Sequence, residues 1–74
     1  MVNVTVVDSI DNSVVATTTV DKGSNIISWL DSLDKPTHDG YTYSGYGIRG
    51  IGDITNVTDN MTVYLDYTVS GGDT

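Results

Sequence analysis

Chemistry needs side chains that titrate, ligate or attack, and this chain holds an uneven set of them. Its 74 residues include ten Asp and no Glu, with Lys22, Lys35, Arg49 and His38 as the basic residues and no Cys. Without Cys there is no disulfide and no thiolate metal site. The lone His38 stands in "PTHDG", a turn-forming stretch in which a solvent-exposed ring is expected. A hydrolytic triad needs a Ser or Cys nucleophile held by a His and an acid. Serines are plentiful here, but none stands in the strained elbow that exposes a nucleophile. "GIRGIGD" has spaced glycines, but no amphipathic helix follows it, so it fails as a phosphate loop. Calcium loops concentrate their oxygens within one short segment, whereas these acids are scattered. The nearest grouping, Asp8, Asp11 and Asn12, is a weak-cation alternative to the turn-forming and solubilising role preferred for it. Lys22 and Lys35 both look exposed, which argues against an isopeptide cross-link. The triplets at Asn3, Asn56 and Asn60 fit the glycosylation pattern, as chance allows in a Thr-rich chain. No catalytic residue, cofactor or metal is assigned.

What remains is aromatic surface. "GYTYSGYGIRG", residues 40–50, packs three Tyr and four Gly into eleven positions. If Tyr41, Tyr46 and Tyr64 project from one sheet face, they form, with Arg49 nearby, an amphipathic patch suited to a protein or glycan partner. Trp29, the only Trp, is expected in the core, because a chain this short needs its largest apolar side chain inside. A partner anchor is the alternative role for it. A net charge of −7 repels phosphate backbones and anionic lipid, which excludes direct nucleic-acid binding as an expected function. No apolar run approaches a membrane span.

The elements that position these residues are legible from periodicity. "VNVTVVD" alternates, with Val2, Val4 and Val6 on one face, and predicts a first strand. Asp11-Asn12 predicts the tip of a hairpin. "VVATTTV" predicts its second strand, with Val14, Ala16, Thr18 and Val20 buried, although Val15 leaves the register open. Ile26, Leu30 and Leu33 recur at helical spacing. They predict a short amphipathic helix over residues 24–34, capped by Ser24 and ended by Pro36. Tyr41 and Tyr43 share a face in a third strand, and Gly45 inside that pattern marks a bulge or bend. An irregular connection follows, with a short edge strand over 48–51. "MTVYLDYTV" predicts a final, central strand with Val63, Leu65 and Tyr67 set against Thr62, Tyr64 and Asp66. The expectation is one α+β module over residues 1–69, with 70–74 a flexible tail or linker. The order ββαβ(β)β, one helix packed on a mixed sheet, is that of the β-grasp or ubiquitin-like roll.

"VNVTVVD", "VDKGSNI", "DKPTHDGYTYSGY" and "VTDNMTVYLDYT", in that order, resemble the β-grasp repeat of Gram-positive bacterial surface proteins, the type found as B repeats in listerial internalins. The resemblance runs from about Val2 to Thr68 and is carried most specifically by residues 40–46 and 59–64. Tyr43 stands where the family favours Phe, Tyr46 and Tyr67 stand where Trp is common, and Trp29 falls on a helix that usually has none. The resemblance implies a non-catalytic module of a cell-wall-attached extracellular protein, present in tandem copies. It would serve as a spacer, adhesion segment or protein-binding repeat, with a protein or glycan partner at a cell surface. In that fold Tyr43 is core, and Gly40 and Gly45 let the chain enter and leave its strand. A ligand-contacting loop is the alternative for those glycines. The rival reading is a free-standing small acidic phage protein, in the virion or the host cytoplasm. There it would act as a decoration piece or as an inhibitor of a host enzyme that mimics nucleic-acid charge, which requires carboxylates lining one face.

Overall fold

Alternation makes β1 (Val2–Asp8) a strand with one fully buried face. It pairs antiparallel with β2 (Val14–Val20) and parallel with β4 (Met61–Val69), and β4 pairs antiparallel with β3 (Tyr41–Ile48). The computed structural model describes residues 1–49 and 52–69. Its one helix, α1 (Ile27–Ser32), lies in sequence between the two halves of a mixed four-stranded sheet of order β2-β1-β4-β3. The chain is thus a small α+β fold with its first and last strands side by side at the sheet centre.

The described residues share one core. Val2, Val4 and Val6 of β1 meet Met61, Val63 and Leu65 of β4, and Ile26 and Leu30 close over them. Each such side chain contributes about 1.5–3 kcal/mol when taken fully out of water. Val57 joins this core from the connection between β3 and β4, with no exposed surface. Its backbone explains how. The Val57 N–H donates to the Ser24 carbonyl, Gly23 N–H donates to the Val57 carbonyl, and Ile26 N–H donates to the Ile54 carbonyl. Residues 54–57 therefore zip against the segment before the helix.

That pairing shortens α1. Ser24 does not cap it: the helix starts three residues later, with Ile26 at the cap position and no side-chain cap bond. The Ser24 carbonyl accepts the Val57 N–H and so is not free to open a helix, whereas the Ile26 carbonyl accepts the Leu30 N–H and begins α1. Asn25 Oδ1 accepts the Ile27 N–H at 2.9 Å instead, and Ser24 Oγ donates to the Asp21 carbonyl. The C-terminal end comes at Ser32, before Pro36 can act, where Leu33 turns extended. Lys35 is half-buried rather than exposed. Its ammonium donates to the Leu30 and Asp31 carbonyls, satisfying helix-end acceptors.

Two irregularities set which side chains face the core. The β1–β2 register shifts between Val6 and Val7, since Val6 faces Ala16 while Val7 faces Val14. Val15 is the extra residue. It packs against the core, and Val14, expected inside, is 62% exposed. The second shift lies between Tyr43 and Gly45 and is the expected bulge. Gly45 has φ +148° and Gly40, just before β3, has φ +82°, conformations that side-chain-bearing residues rarely adopt. The hairpin tip also matches expectation, with Asn12 at φ +61°. The expected separate strand at 48–51 is not formed as such: Ile48 ends β3, Arg49 lies in a bend, and residues 50 and 51 fall outside the described residues. So do residues 70–74 and the expectation made for them. Among the described residues, no helix is long and apolar enough to cross a membrane.

Candidate functional site

The Tyr43–Gly45 bulge decides where the tyrosines point. Directly opposed residues of an antiparallel pair share a face. Tyr41 faces Val69, Tyr43 faces Tyr67 and Tyr46 faces Leu65, so all three tyrosines of β3 lie on the core side of the sheet. Without the bulge Tyr46 would alternate to the other side. Tyr64 faces Gly47 and lies on the opposite, helix-free face. The structure therefore does not gather Tyr41, Tyr46 and Tyr64 into one patch. Tyr46 packs against the core, and its hydroxyl donates to Asp31 Oδ1 of α1 at 3.2 Å. Tyr41 is exposed at the start of its strand. Arg49 and Tyr64 do come together: the guanidinium carbon sits 4.7 Å from the Tyr64 ring centre, and Nη2 reaches Asp66 Oδ1 at 3.0 Å. At such an exposed site a cation–π contact contributes about 0.5–1 kcal/mol and the ion pair no more than that. Around them the open face carries Thr5, Thr17, Thr19, Thr62 and Val7. Trp29 is half-buried and packs against the core.

A second cluster lies where β1 ends. Period-2 alternation puts Asp8 on the same face as Val2, Val4 and Val6, and its side chain is wholly buried. Its Oδ1 accepts the Ile10 N–H at 2.8 Å, and its Oδ2 lies 2.5 Å from Nε2 of His38. His38 is not the exposed turn residue expected, since only 22% of its side chain is exposed. Its ring stands T-shaped against Tyr67 with centroids 5.2 Å apart, and Tyr67 stands likewise against Tyr43 at 5.8 Å. The Tyr67 hydroxyl donates to the Pro36 carbonyl and so ties the chain leading to His38 onto β4. Asp11, at the hairpin tip, completes the group. One donor atom from each of Asp8, Asp11 and His38 falls within 4.8 Å of the others. The Ser13 side chain and backbone N–H hold the Asp11 carboxyl below the usual carboxylate range.

Burial pushes the Tyr43, Tyr46 and Tyr67 phenols up, with nearby acidic groups adding to it. A folded-state value above the unfolded one, which is about 10, means that the fold favours the neutral phenol. That stability is complete below about pH 10 and is lost as pH rises through the folded-state values. The domain is therefore expected to unfold in alkali as tyrosinate forms. Tyr43→Phe should move the alkaline midpoint upward, read by circular dichroism alongside tyrosinate absorbance. An unchanged midpoint would show that this ring is not held neutral by the fold.

No protein-family model, curated protein or solved structure matches the chain.

Proposed function

We propose that the chain is a non-catalytic β-grasp module of a bacterial cell-surface protein, acting as a load-bearing spacer within an adhesive or protein-binding array. The observation that supports this most is strand polarity. β1 and β4 are adjacent and parallel, so the chain enters the sheet at one end, at Val2, and leaves at the other, at Val69. Opposed ends suit a module strung between neighbours. Tension along the array would then load the pairs from Val4–Met61 to Asp8–Leu65 in shear, all at once. The flanking antiparallel hairpins and the helix over the core are in keeping with the β-grasp assignment. A partner would meet Tyr41 on one side of the sheet or the Arg49–Tyr64 pair on the other, not both together.

Nucleic-acid mimicry has less support. Asp8 is buried, Asp66 is paired with Arg49 on the open face, and Asp31 reaches Tyr46 on the helix side. Asp11 sits at the hairpin tip, while Asp59 precedes β4 at the other end of the sheet. Among the described residues the carboxylates do not line one face.

Force spectroscopy tests the load-bearing role. The chain has no Cys, so paired Cys handles define the pulling direction. Handles at Met1→Cys and Val69→Cys load β1 against β4 in shear. Handles at Met1→Cys and Asp21→Cys peel β1 from β2 one pair at a time, because Val2 faces Val20. Rupture is expected at a severalfold higher force in the first geometry. Equal forces would remove the mechanical argument for a spacer.

A further inference from the structure

We propose that Asp8, Asp11 and His38 bind a divalent transition-metal ion, best fitted by Zn²⁺, which staples the β1–β2 turn to the connection between α1 and β3. The donors converge from two segments thirty residues apart in sequence, and their ligand atoms lie within 4.8 Å of one another. One imidazole nitrogen with two carboxylate oxygens suits a borderline-soft ion in a three-ligand site that keeps a fourth position for water. Calcium and magnesium prefer six or more oxygens, which this group does not supply.

Charge points the same way. The Asp8 carboxylate has no exposed surface, and a buried charge requires a partner. Among the described residues, the ion pairs are His38–Asp8 and Arg49–Asp66, so neither Lys nor Arg answers Asp8 or Asp11. A protonated His38 cancels one of the two carboxylates. A divalent ion bound by a neutral imidazole cancels both.

The geometry needs shifts of about an ångström at His38 and Asp11. Ile10 N–H holds one Asp8 oxygen and leaves the other toward His38, while Ser13 N–H holds one Asp11 oxygen. Tyr67 supports the His38 ring by a T-shaped contact. Around a tetrahedral ion with bonds of about 2.0–2.1 Å, the His38 nitrogen and the Asp8 oxygen would stand roughly 3.3 Å apart. They are 2.5 Å apart now. A His38 ring displacement of under about 1 Å opens that pair, and the Asp11 oxygen, within 4.8 Å of the other two, closes toward the same spacing by a move of at most about 1.5 Å; both residues lie outside any helix or strand. Asp11 is exposed, which leaves the ion a way in.

The test is calorimetric titration of chelator-treated protein with Zn²⁺, with Co²⁺ absorbance as a second readout of tetrahedral geometry. One saturable site is expected. At free Zn²⁺ a hundredfold above Kd the thermal midpoint should rise by roughly 10–20 °C. His38 is the only histidine, so its imidazole NMR signals should shift with Zn²⁺ and not with Ca²⁺. His38→Gln and Asp11→Asn should each weaken binding by at least about tenfold, the cost of losing even a supporting group. Three results would overturn the site: no saturable uptake, unmoved His38 signals on Zn²⁺ addition to the unmutated chain, or undiminished affinity in either variant.

Discussion

Leu30→Ala should cost about 3 kcal/mol of folding stability, within the 2–5 kcal/mol range for emptying a buried leucine site. α1 has six residues, far fewer than an isolated helix needs in water, so tertiary packing alone holds it. Leu30 is its one buried residue, 1% exposed and seated in the core with Val4, Val6, Val63 and Leu65. A 74-residue chain buries a smaller share of its surface than larger domains do and belongs near the bottom of the usual 5–15 kcal/mol range. The substitution therefore threatens half or more of the total. Trp29, next in sequence and half-buried against the same core, reports the event by its emission in urea. The midpoint should fall with the slope unchanged. Ser28→Ala, at an exposed helix position, should stay within about 0.5 kcal/mol of the parent. A Leu30→Ala loss below about 1 kcal/mol would mean that α1 does not hold this core closed.

Asp8→Ala is expected to be nearly as damaging, at about 3 kcal/mol, near the low end for breaking a buried pair from one side. The substitution leaves the Ile10 N–H without its acceptor and His38 without the carboxylate that draws it against Tyr67. The low end applies because His38 keeps 22% of its side chain in solvent and can find water. A double-variant cycle in chelator with His38→Gln separates the terms. If the pair matters as a pair, the double variant should lose less than the two single losses added together. Strictly additive losses would show that Asp8 matters for the turn alone.

These two effects differ in how far the sequence foretells them. Leu30 was legible: Ile26, Leu30 and Leu33 repeat at helical spacing, and a short helix must bury that stripe on a sheet. The helix length was not, because Ser24 looks like a good cap in isolation. Only the partnership of residues 23–26 with 54–57 withholds the Ser24 carbonyl from the helix. Val57 was missed for the same reason, since an isolated valine among polar residues has no period to announce it. The two register shifts show the reverse case. Gly45 signalled its bulge, being the residue type that tolerates the conformation. Val15 left only an ambiguity, and the pairing with β1 resolved it by turning Val14 outward.

The candidate sites divide along the same line. The sequence reads Asp8 as a turn-forming, solubilising residue, and its complete burial corrects that: it ends β1 on the face of Val2, Val4 and Val6, where its charge argues against placing it. His38 carried no such mark. Its approach to Asp8 depends on Tyr67 holding Pro36 and on β4 lying beside β1, contacts between segments far apart in the chain. The tyrosines were found as residues but misplaced as a surface, because one bulge changes the face of every side chain beyond it.

By itself the sequence determined local matters: the four strand-forming runs, the Asp11-Asn12 turn, the apolar face of β1, and that Gly45 breaks the third strand. Periodicity and backbone preference act over a few residues and can be read there. Tertiary structure alone decided which strands are neighbours, where α1 begins, which face each tyrosine takes, and that His38 meets Asp8 and Asp11. Those outcomes depend on hydrogen bonds and packing between segments whose separation along the chain leaves no periodic trace.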